Sequence, residues 1–561
     1  GMFAFGVSFD QDISSWDTTG FTSSVAGLDF FTTSGLSTAN YDALLIGWSA
    51  QAVRPSTNFN FGTAQYTLGG AAESARNTLI NTYGWTITDG GGITPPPTPL
   101  TDATFNQAIT DILAQDPNGD YYLVPYGKIQ DWDVSQVTDM SNAFEYRNDF
   151  NGDISNWDTS NVTSTVGLFS GAVSFNQEIG DWNVSNVNSM YFMFDNASSF
   201  NKDISNWNTS EVRSTFEMFD GAISFNGDIS GWDTGNVETM RSMFSGALSF
   251  NRDISGWDTG NVESMQSMFS GASSFNQDIG DWNTINVTDM SFMFKGASSF
   301  NQDISEWEVF SVDTMANMFE DAISFNKNIN NWNVLGVTNM SFMFSGASSF
   351  NKSLNDWNTV SVTDMSSMFS NAISFNQDIS NWNTINVPTM NSMFFEATAF
   401  NQDISEWNII SVTDMENMFD NSGLSTTNYD ALLIDWAEQN VKPNVLFGAA
   451  NLTYCVGENA RQSLIDDKGW LFTGDQLECA TAGVDDLNQL DISIYPNPTS
   501  DLVYIDGNYT NLNVVVYDIL GKQLMKESVT NSIDISQLEK GVYILKLSDG
   551  VKLTTKRIIK N

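Results

Sequence analysis

Histidine is absent from all 561 residues. Its absence removes Ser-His-Asp and Cys-His catalytic arrangements and every histidine-ligated metal site. Basic residues are scarce: 22 Lys and Arg stand against 67 Asp and Glu, for a formal net charge of −45. Binding to phosphate backbones or anionic lipid needs basic patches, so no nucleic acid and no anionic membrane is expected as partner, and cations or cationic surfaces are favoured. No stretch of about 18 consecutive apolar residues occurs, so no transmembrane segment is predicted. Cysteine is limited to Cys455 and Cys479. The opening stretch GMFAFGVSFDQDISSW has no basic segment followed by an apolar one, and so does not read as a leader. It matches instead the middle of a repeat, with Met2, Phe3, Phe9, Asp12, Ile13 and Trp16 at the repeat's own offsets. The expectation is a fragment of a longer protein whose signal peptide and earlier repeats lie upstream.

What the sequence has in abundance is one sentence rewritten. Phe stands at 150, 175, 200 and every 25th position to 400, and stretches such as FNRDISGWDTGNVESMQSMFSGA from Phe250 recur nearly word for word. A fixed period of this length marks a solenoid, in which each unit buries its face only against its neighbours. Within one unit, Ile254 between Asp253 and Ser255 predicts a brief strand with Ile inward. Val262, Met265, Met268, Phe269 and Ala272 follow the spacing of one helical face. The position before that segment is always an N-cap former, from Asp139 and Ser164 through Thr239 and Asp289 to Asp414. Gly171, Gly221, Gly246, Gly271, Gly296 and Gly346, with Asn196 and Asn371, suit a left-handed residue at the far end. The predicted coil is thus a short strand, a bend and a helix of under two turns, the strands stacking into a parallel sheet.

Several rows need a role. Trp132, Trp157 and so on to Trp407 occur once per coil, as do the Phe and Met rows, and invariance at every rung predicts core packing rather than sugar binding or metal transport. The Asn row from Asn151 to Asn401 predicts an amide ladder satisfying backbone in successive coils. The acidic row is different: Asp153, Glu178, Asp203, Asp228, Asp253, Asp278 and Asp303 stack as like charges, interrupted by Asn328 and Ser353 before Asp378 and Asp403. Two readings stay open for Asp203 to Asp303: a solvated, salt-screened face, or a ladder bridged by Ca²⁺ or Mg²⁺. No other cofactor is implied.

The repeat text NWDTSNVT…MF.GA.SFN.DIS.W resembles the BspA-type surface proteins, which are grouped with leucine-rich repeats. The resemblance covers most of residues 1–423, with local departures at Thr165, Thr215, Ser353 and Leu354. It implies an α/β, leucine-rich-repeat-like solenoid on a bacterial surface, often assigned to adhesion. Around it the chain divides into a last coil of a truncated first array (1–35), a helical cap (36–89), a Pro/Gly linker (90–100), an N-terminal lid (101–128), the repeat array (129–423), a second cap (424–480), a joint (481–488) and a final domain (489–561). The caps are read from duplicated text: LSTANYDALLIGWSAQ at 36–51 returns as LSTTNYDALLIDWAEQ at 424–439. The ends of an exposed core need such closure. Cys455 and Cys479 both fall in the second cap, and a two-cysteine unit of an extracellular-type protein predicts a disulfide.

Composition changes at the end. Residues 491–561 hold eight basic and eight acidic residues, so this region is neutral. Alternating runs LVYIDG, LNVVVYDILG, GVYILKLSDG and KLTTKRIIK predict a small antiparallel sandwich. ISIYPNPTSD, YDILGKQL, GVYILKL and KRIIK resemble the type A C-terminal sorting domain of type IX secretion, with Pro496, Pro498, Gly521, Gly541, Lys556, Arg557 and Lys560 at the motif positions. The resemblance implies export through the periplasm of a Bacteroidota bacterium, the type IX machinery as partner, and a final place outside the cell or on its outer surface. The whole predicts a non-enzymatic adhesin or interaction scaffold for an unidentified surface protein or glycan. A passive surface layer or spacer, or the non-catalytic part of a larger secreted enzyme, are the alternatives.

Overall fold

A computed structural model describes residues 8–20, 31–33, 35–94, 98–123, 125–479, 490, 492–507, 509, 511–550 and 552–561. The repeat offsets at Met2 and Phe3, part of the 90–100 linker and the whole 481–488 joint lie outside the described residues. The chain separates into two compact units, Gly1–Leu477 and Glu478–Asn561.

In the first unit, the duplicated text forms duplicated structure. The first cap runs α1 (Thr38–Ser49), β1 (Asn58–Asn60), β2 (Tyr66–Thr67), α2 (Ala71–Asn81), β3 (Thr86–Thr88) and β4 (Gly92–Ile93), with β1 parallel to β3 and β2 parallel to β4. After α3 (Asp102–Leu113) and the repeats, the second cap repeats this order as α4 (Thr426–Ala437), β5 (Leu446–Gly448), β6 (Thr453–Tyr454), α5 (Glu458–Lys468), β7 (Leu471–Thr473) and β8 (Gln476–Leu477). Ser37 and Ser425 cap α1 and α4, each accepting a backbone N–H three residues on.

Between Trp132 and Ser425 there is neither an α-helix nor a regular strand, which corrects the predicted coil. The Met–Met–Phe segment is a run of turns. In the coil of Phe250, Met265, Ser267, Phe269 and Gly271 donate their N–H groups to carbonyls one unit on (Asp289, Ser291, Met293 and Lys295) at 2.6–3.1 Å. The alternate residues Met268, Ser270 and Ala272 close local turns onto the carbonyl three residues back. Alternation between neighbour and self satisfies the backbone without an i→i−4 ladder. It requires two left-handed residues per unit, here Ser267 (φ 56°) and Gly271 (φ 70°). Consecutive turns place Val262, Met265, Met268 and Phe269 inward just as a helix would, which is why the spacing alone misleads. The parallel contact between units also lies elsewhere than expected. It passes through Asp139, Ser164, Ser189 and so on to Asp414, the positions read as helix caps, whereas Ile254 is buried but unladdered.

The core is built of rows. Trp257 and Trp282 lie 6.4 Å apart with planes 2° from parallel, Phe250 and Phe275 are 6.0 Å apart, and Phe269 packs 3.9 Å from Phe275. From Trp157 to Trp407 each indole N–H of the row finds a carbonyl on the preceding unit, as Trp282 Nε1 does on Ile254 (3.1 Å), so these rings are buried without an orphaned donor. The Asn ladder is present: Asn276 N–H donates to Asn251 Oδ1 at 2.9 Å and Asn301 N–H to Asn276 Oδ1 at 2.9 Å.

Each end of the stack is closed by a side chain standing in for the missing neighbour. Asp102, at the start of α3, accepts Thr138 N–H (2.7 Å) and Asp139 N–H (3.1 Å), while Phe105, Ile109 and Ile112 continue the core. At the other end Gln439 accepts Ile409 N–H and donates to Trp407 O, as Gln51 does with Thr18 and Trp16.

The second unit is all-β. Strands β9 (Ile492–Tyr495), β10 (Leu502–Gly507) and β13 (Ser532–Asp534) form one antiparallel sheet in the order β13-β10-β9. Strands β11 (Leu512–Tyr517), β12 (Gln523–Val529), β14 (Gly541–Ser548) and β15 (Leu553–Lys560) form a second, in the order β12-β11-β14-β15. Alternating residues Val503, Ile505, Val514, Val516, Leu545, Leu547 and Ile558 share one core.

Candidate functional site

Three groups of side chains are candidates for function: the acidic row, the exposed rows of the repeats and the motif residues of the second unit.

The acidic row has a local task. Asp203, Asp228, Asp253 and Asp303 each accept the backbone N–H of the serine two residues on, at 2.9–3.1 Å, and Asp278 accepts that of Gly280. These bonds favour the carboxylate and hold Asp203, Asp228 and Asp253 below the ordinary aspartate range; the Asp228 charge opposes this weakly at both neighbours. The interruptions make the point chemically. Asn328 Oδ1 and Ser353 Oγ accept the same bond, at 3.1 and 3.3 Å, so the row selects an acceptor oxygen rather than a charge. Among the described residues no three Asp, Glu or Cys side chains converge as a metal site, the row included.

The outer rows carry the variation. One holds Val166, Tyr191, Phe216, Arg241 and Gln266 in successive units, exposed or half-buried, before it turns inward as the buried Ser291 and Ala316. Tyr191, Phe192 and Phe216 form a cluster of mutually steep rings with centroids 5.1–6.5 Å apart, and the Arg241 guanidinium lies 5.3 Å over Phe216. Tyr191 is exposed and the two Phe rings half-buried. Asp195, Glu217 and Asp220 lie in the same units. Burial, the largest cause, pushes all three carboxyl groups above their ordinary range; Asp220 adds repulsion to Asp195 and Glu217.

Cys455 and Cys479 are both disulfide-bonded, and the chain has no other cysteine. Close by in sequence is a group that the sequence reading missed. Arg461 grips Asp475 with two bonds (2.6 and 2.7 Å), Tyr429 donates to the same carboxylate (2.9 Å), and the guanidinium sits over Tyr454 and Phe472. Burial first, and then Asp475, raise the Tyr429 phenol well above its usual range. The first cap holds the same triad as Tyr41, Arg76 and Asp89, so the signal was available as three matched polar positions in the duplicated text.

In the second unit the motif residues meet although some 60 residues separate them in sequence. Pro496 and Pro498 flank Asn497, which donates to Arg557 O and accepts Ile559 N–H, both at 2.8 Å. Lys560 is buried and donates to Ile535 O and Ser536 O at 2.8 Å, with Asp501 at 3.7 Å. Lys556 is half-buried and Arg557 exposed on β15, Gly541 opens β14, and Gly521 supplies the left-handed residue (φ 81°) of the β11–β12 turn. That turn is closed by Asp518, which accepts the N–H groups of Leu520 and Lys522 at 2.9 Å.

The family described as Mycoplasma protein of unknown function, DUF285, matches residues 1–34, 123–231, 203–285, 270–371 and 317–436, more than half the chain. The chain belongs to this family. Residues 493–561 match the secretion system C-terminal sorting domain, which coincides with the all-β unit and its Asn497–β15 junction. No curated protein matches the chain. The sorting domain implies export by type IX secretion, to the cell surface or the medium, with that machinery as partner. Among the described residues no helix is long and apolar enough to cross a membrane.

Proposed function

We propose that the DUF285 repeats form a leucine-rich-repeat-like solenoid of the BspA type, and that the protein is a non-catalytic adhesin or interaction scaffold of a Bacteroidota bacterium. The observation that carries this reading is where the repeats differ from one another. Trp, Ile, Phe and Val rows are nearly constant and buried, while an outer row passes from aromatic (Tyr191, Phe216) to cationic (Arg241) to amide (Gln266) within four units. A spacer has no use for such change; a recognition surface is made of it. Half-exposed aromatic rings beside Arg241 and three carboxylates supply apolar contact, hydrogen bonds and charge within one patch, as recognition of a surface protein or glycan requires. The test is to probe arrays of glycans and extracellular-matrix proteins with the full chain and with Tyr191→Ser/Phe192→Ser/Phe216→Ser. The reading expects a saturable ligand whose binding the triple variant loses at least tenfold. Binding unaffected by the variant would move the site elsewhere, and failure to bind any probe would favour the spacer.

A further inference from the structure

A second outer row behaves differently from the first. In six early units it is Ser135, Ser160, Ser185, Ser210, Gly235 and Gly260; in the next six it is Ile285, Phe310, Leu335, Val360, Ile385 and Ile410, without a break. Five of these six are exposed large apolar side chains, 36–47 % accessible, and Val360 is half-buried. Other exposed apolar residues in the array, such as Ile223 and Ile323, stand in a row that serines interrupt.

The surroundings narrow what could cover this stripe. The backbone N–H groups of Ile285, Leu335, Val360, Ile385 and Ile410 are already held by the Asn side chain two residues earlier, at 3.2–3.3 Å. An added β-strand would find five of the six stripe N–H groups already taken, so a partner engages mainly by side chains. The flanking positions are mostly neutral: Asn283, Asn333, Asn358, Asn383 and Asn408 on one side, and Thr288, Thr338, Thr363, Pro388 and Thr413 on the other. In a chain of net charge −45 this is a low-charge lane, along which a second equally acidic chain can approach. A second copy also carries the same rung spacing, about 4.8 Å between paired backbones, so apolar rungs interdigitate without loss of register. At roughly 80 Å² exposed per rung the stripe offers about 450 Å² of apolar surface. With its polar flanks it approaches the ~800 Å² per partner of a standard interface.

We infer that the stripe from Ile285 to Ile410 is a self-association surface, on which two copies pair side by side through a two-fold axis. Such an isologous contact closes on itself and leaves the Tyr191 patch, in units that precede the stripe, outside the interface. It does not depend on the proposed foreign ligand.

The test is sedimentation velocity on the full chain across concentration and salt. The first variant replaces all six stripe residues with serine, which the same row already carries at Ser135 to Ser210. The second, Phe310→Ser/Leu335→Ser, serves if the first fails to fold; Val173→Ser/Ile223→Ser/Leu248→Ser/Ile323→Ser/Ile373→Ser is the control. The wild type should dimerise reversibly and more tightly as salt screens the −45 charge. The folded stripe variant should bind itself at least tenfold more weakly, and the control should match wild type. A wild type that stays monomeric at about 0.5 mM and 0.5 M NaCl, whether or not a foreign polypeptide then covers the stripe, would overturn the inference. So would a stripe variant that pairs as tightly as wild type, or a control that weakens equally.

Discussion

Replacing Trp282 by Phe tests the stacking most sharply, because the cost can be worked out atom by atom. Trp282 is buried between Trp257 and Trp307, each 6.4 Å away and within 2° of parallel. Phe keeps one ring in the stack but loses the second ring of the indole and leaves a small void, which costs about 1–2 kcal/mol in lost contact. The abandoned acceptor, Ile254 O, retains the Trp257 N–H at 3.2 Å, so it is not orphaned, and the lost bond costs only about 1 kcal/mol. The sum is about 2–3 kcal/mol. Unfolding of a long array is not two-state, so a melting curve averages over units; amide exchange at the inter-unit donors Met265 and Met290 reads the local cost. Exchange there should accelerate about 30- to 150-fold. Trp232, Trp257 and Trp307 donate to Ile204, Ile229 and Ile279 at 3.0–3.1 Å, so the same substitution at each should give the same local acceleration. Acceleration below threefold, or differences among the four sites above tenfold, would refute the equivalence of the units.

Three further outcomes are expected. Asp228→Ala should cost about 0.5–1 kcal/mol in equilibrium denaturation, while Asp228→Asn, which keeps the acceptor, should cost less than half of that; equal losses would restore a role for the charge. The depressed pKa values of Asp153, Asp203, Asp228, Asp253 and Asp378 give stability that is present above the ordinary aspartate value and lost as pH falls through the folded values, whereas the raised Asp195, Glu217 and Asp220 gain from protonation. The melting temperature should therefore rise on mild acidification from neutrality and fall again below about pH 4, and a monotonic decrease from pH 7 would contradict this balance. Arg461→Met should destabilise the second cap by about 3–5 kcal/mol by stranding the buried Asp475, while Arg461→Met/Asp475→Leu should recover much of the loss in a double-mutant cycle.

The rows of Phe, Trp, Ile and Asn were legible because a period of 25 residues fixes which positions meet, whatever the backbone does between them. The helix was not. A helical face and a run of turns bury Val262, Met265, Met268 and Phe269 alike, and only one of the two left-handed positions per unit is mostly Gly or Asn. The other is Asn142, Gly167, Asn317 or Asn417 in a few units but Glu217, Ser242, Ser267, Phe292 or Phe342 in others, which carry no such signal, and their positive φ is imposed by the bonds to the next unit. In the acidic row, Asn328 and Ser353 were visible as exceptions, yet their common property was an acceptor oxygen rather than a broken charge ladder. The meeting of Asn497 with Arg557 and Ile559, and the burial of Lys560, depended on pairing across the two ends of a domain, which spacing in sequence does not encode. The cap triads demanded a comparison of two copies for matched polar residues rather than matched apolar ones.

The central claim is that a stacked repeat surface is carried to the outside by a separate folded address. Removing residues 489–561 in a host with type IX secretion, and following both surface exposure and the melting of the purified remainder, tests it directly. The account predicts repeats that melt as in the full chain but stay in the periplasm, absent from surface and medium. A truncated protein that reaches the surface at the level of the full chain would contradict it.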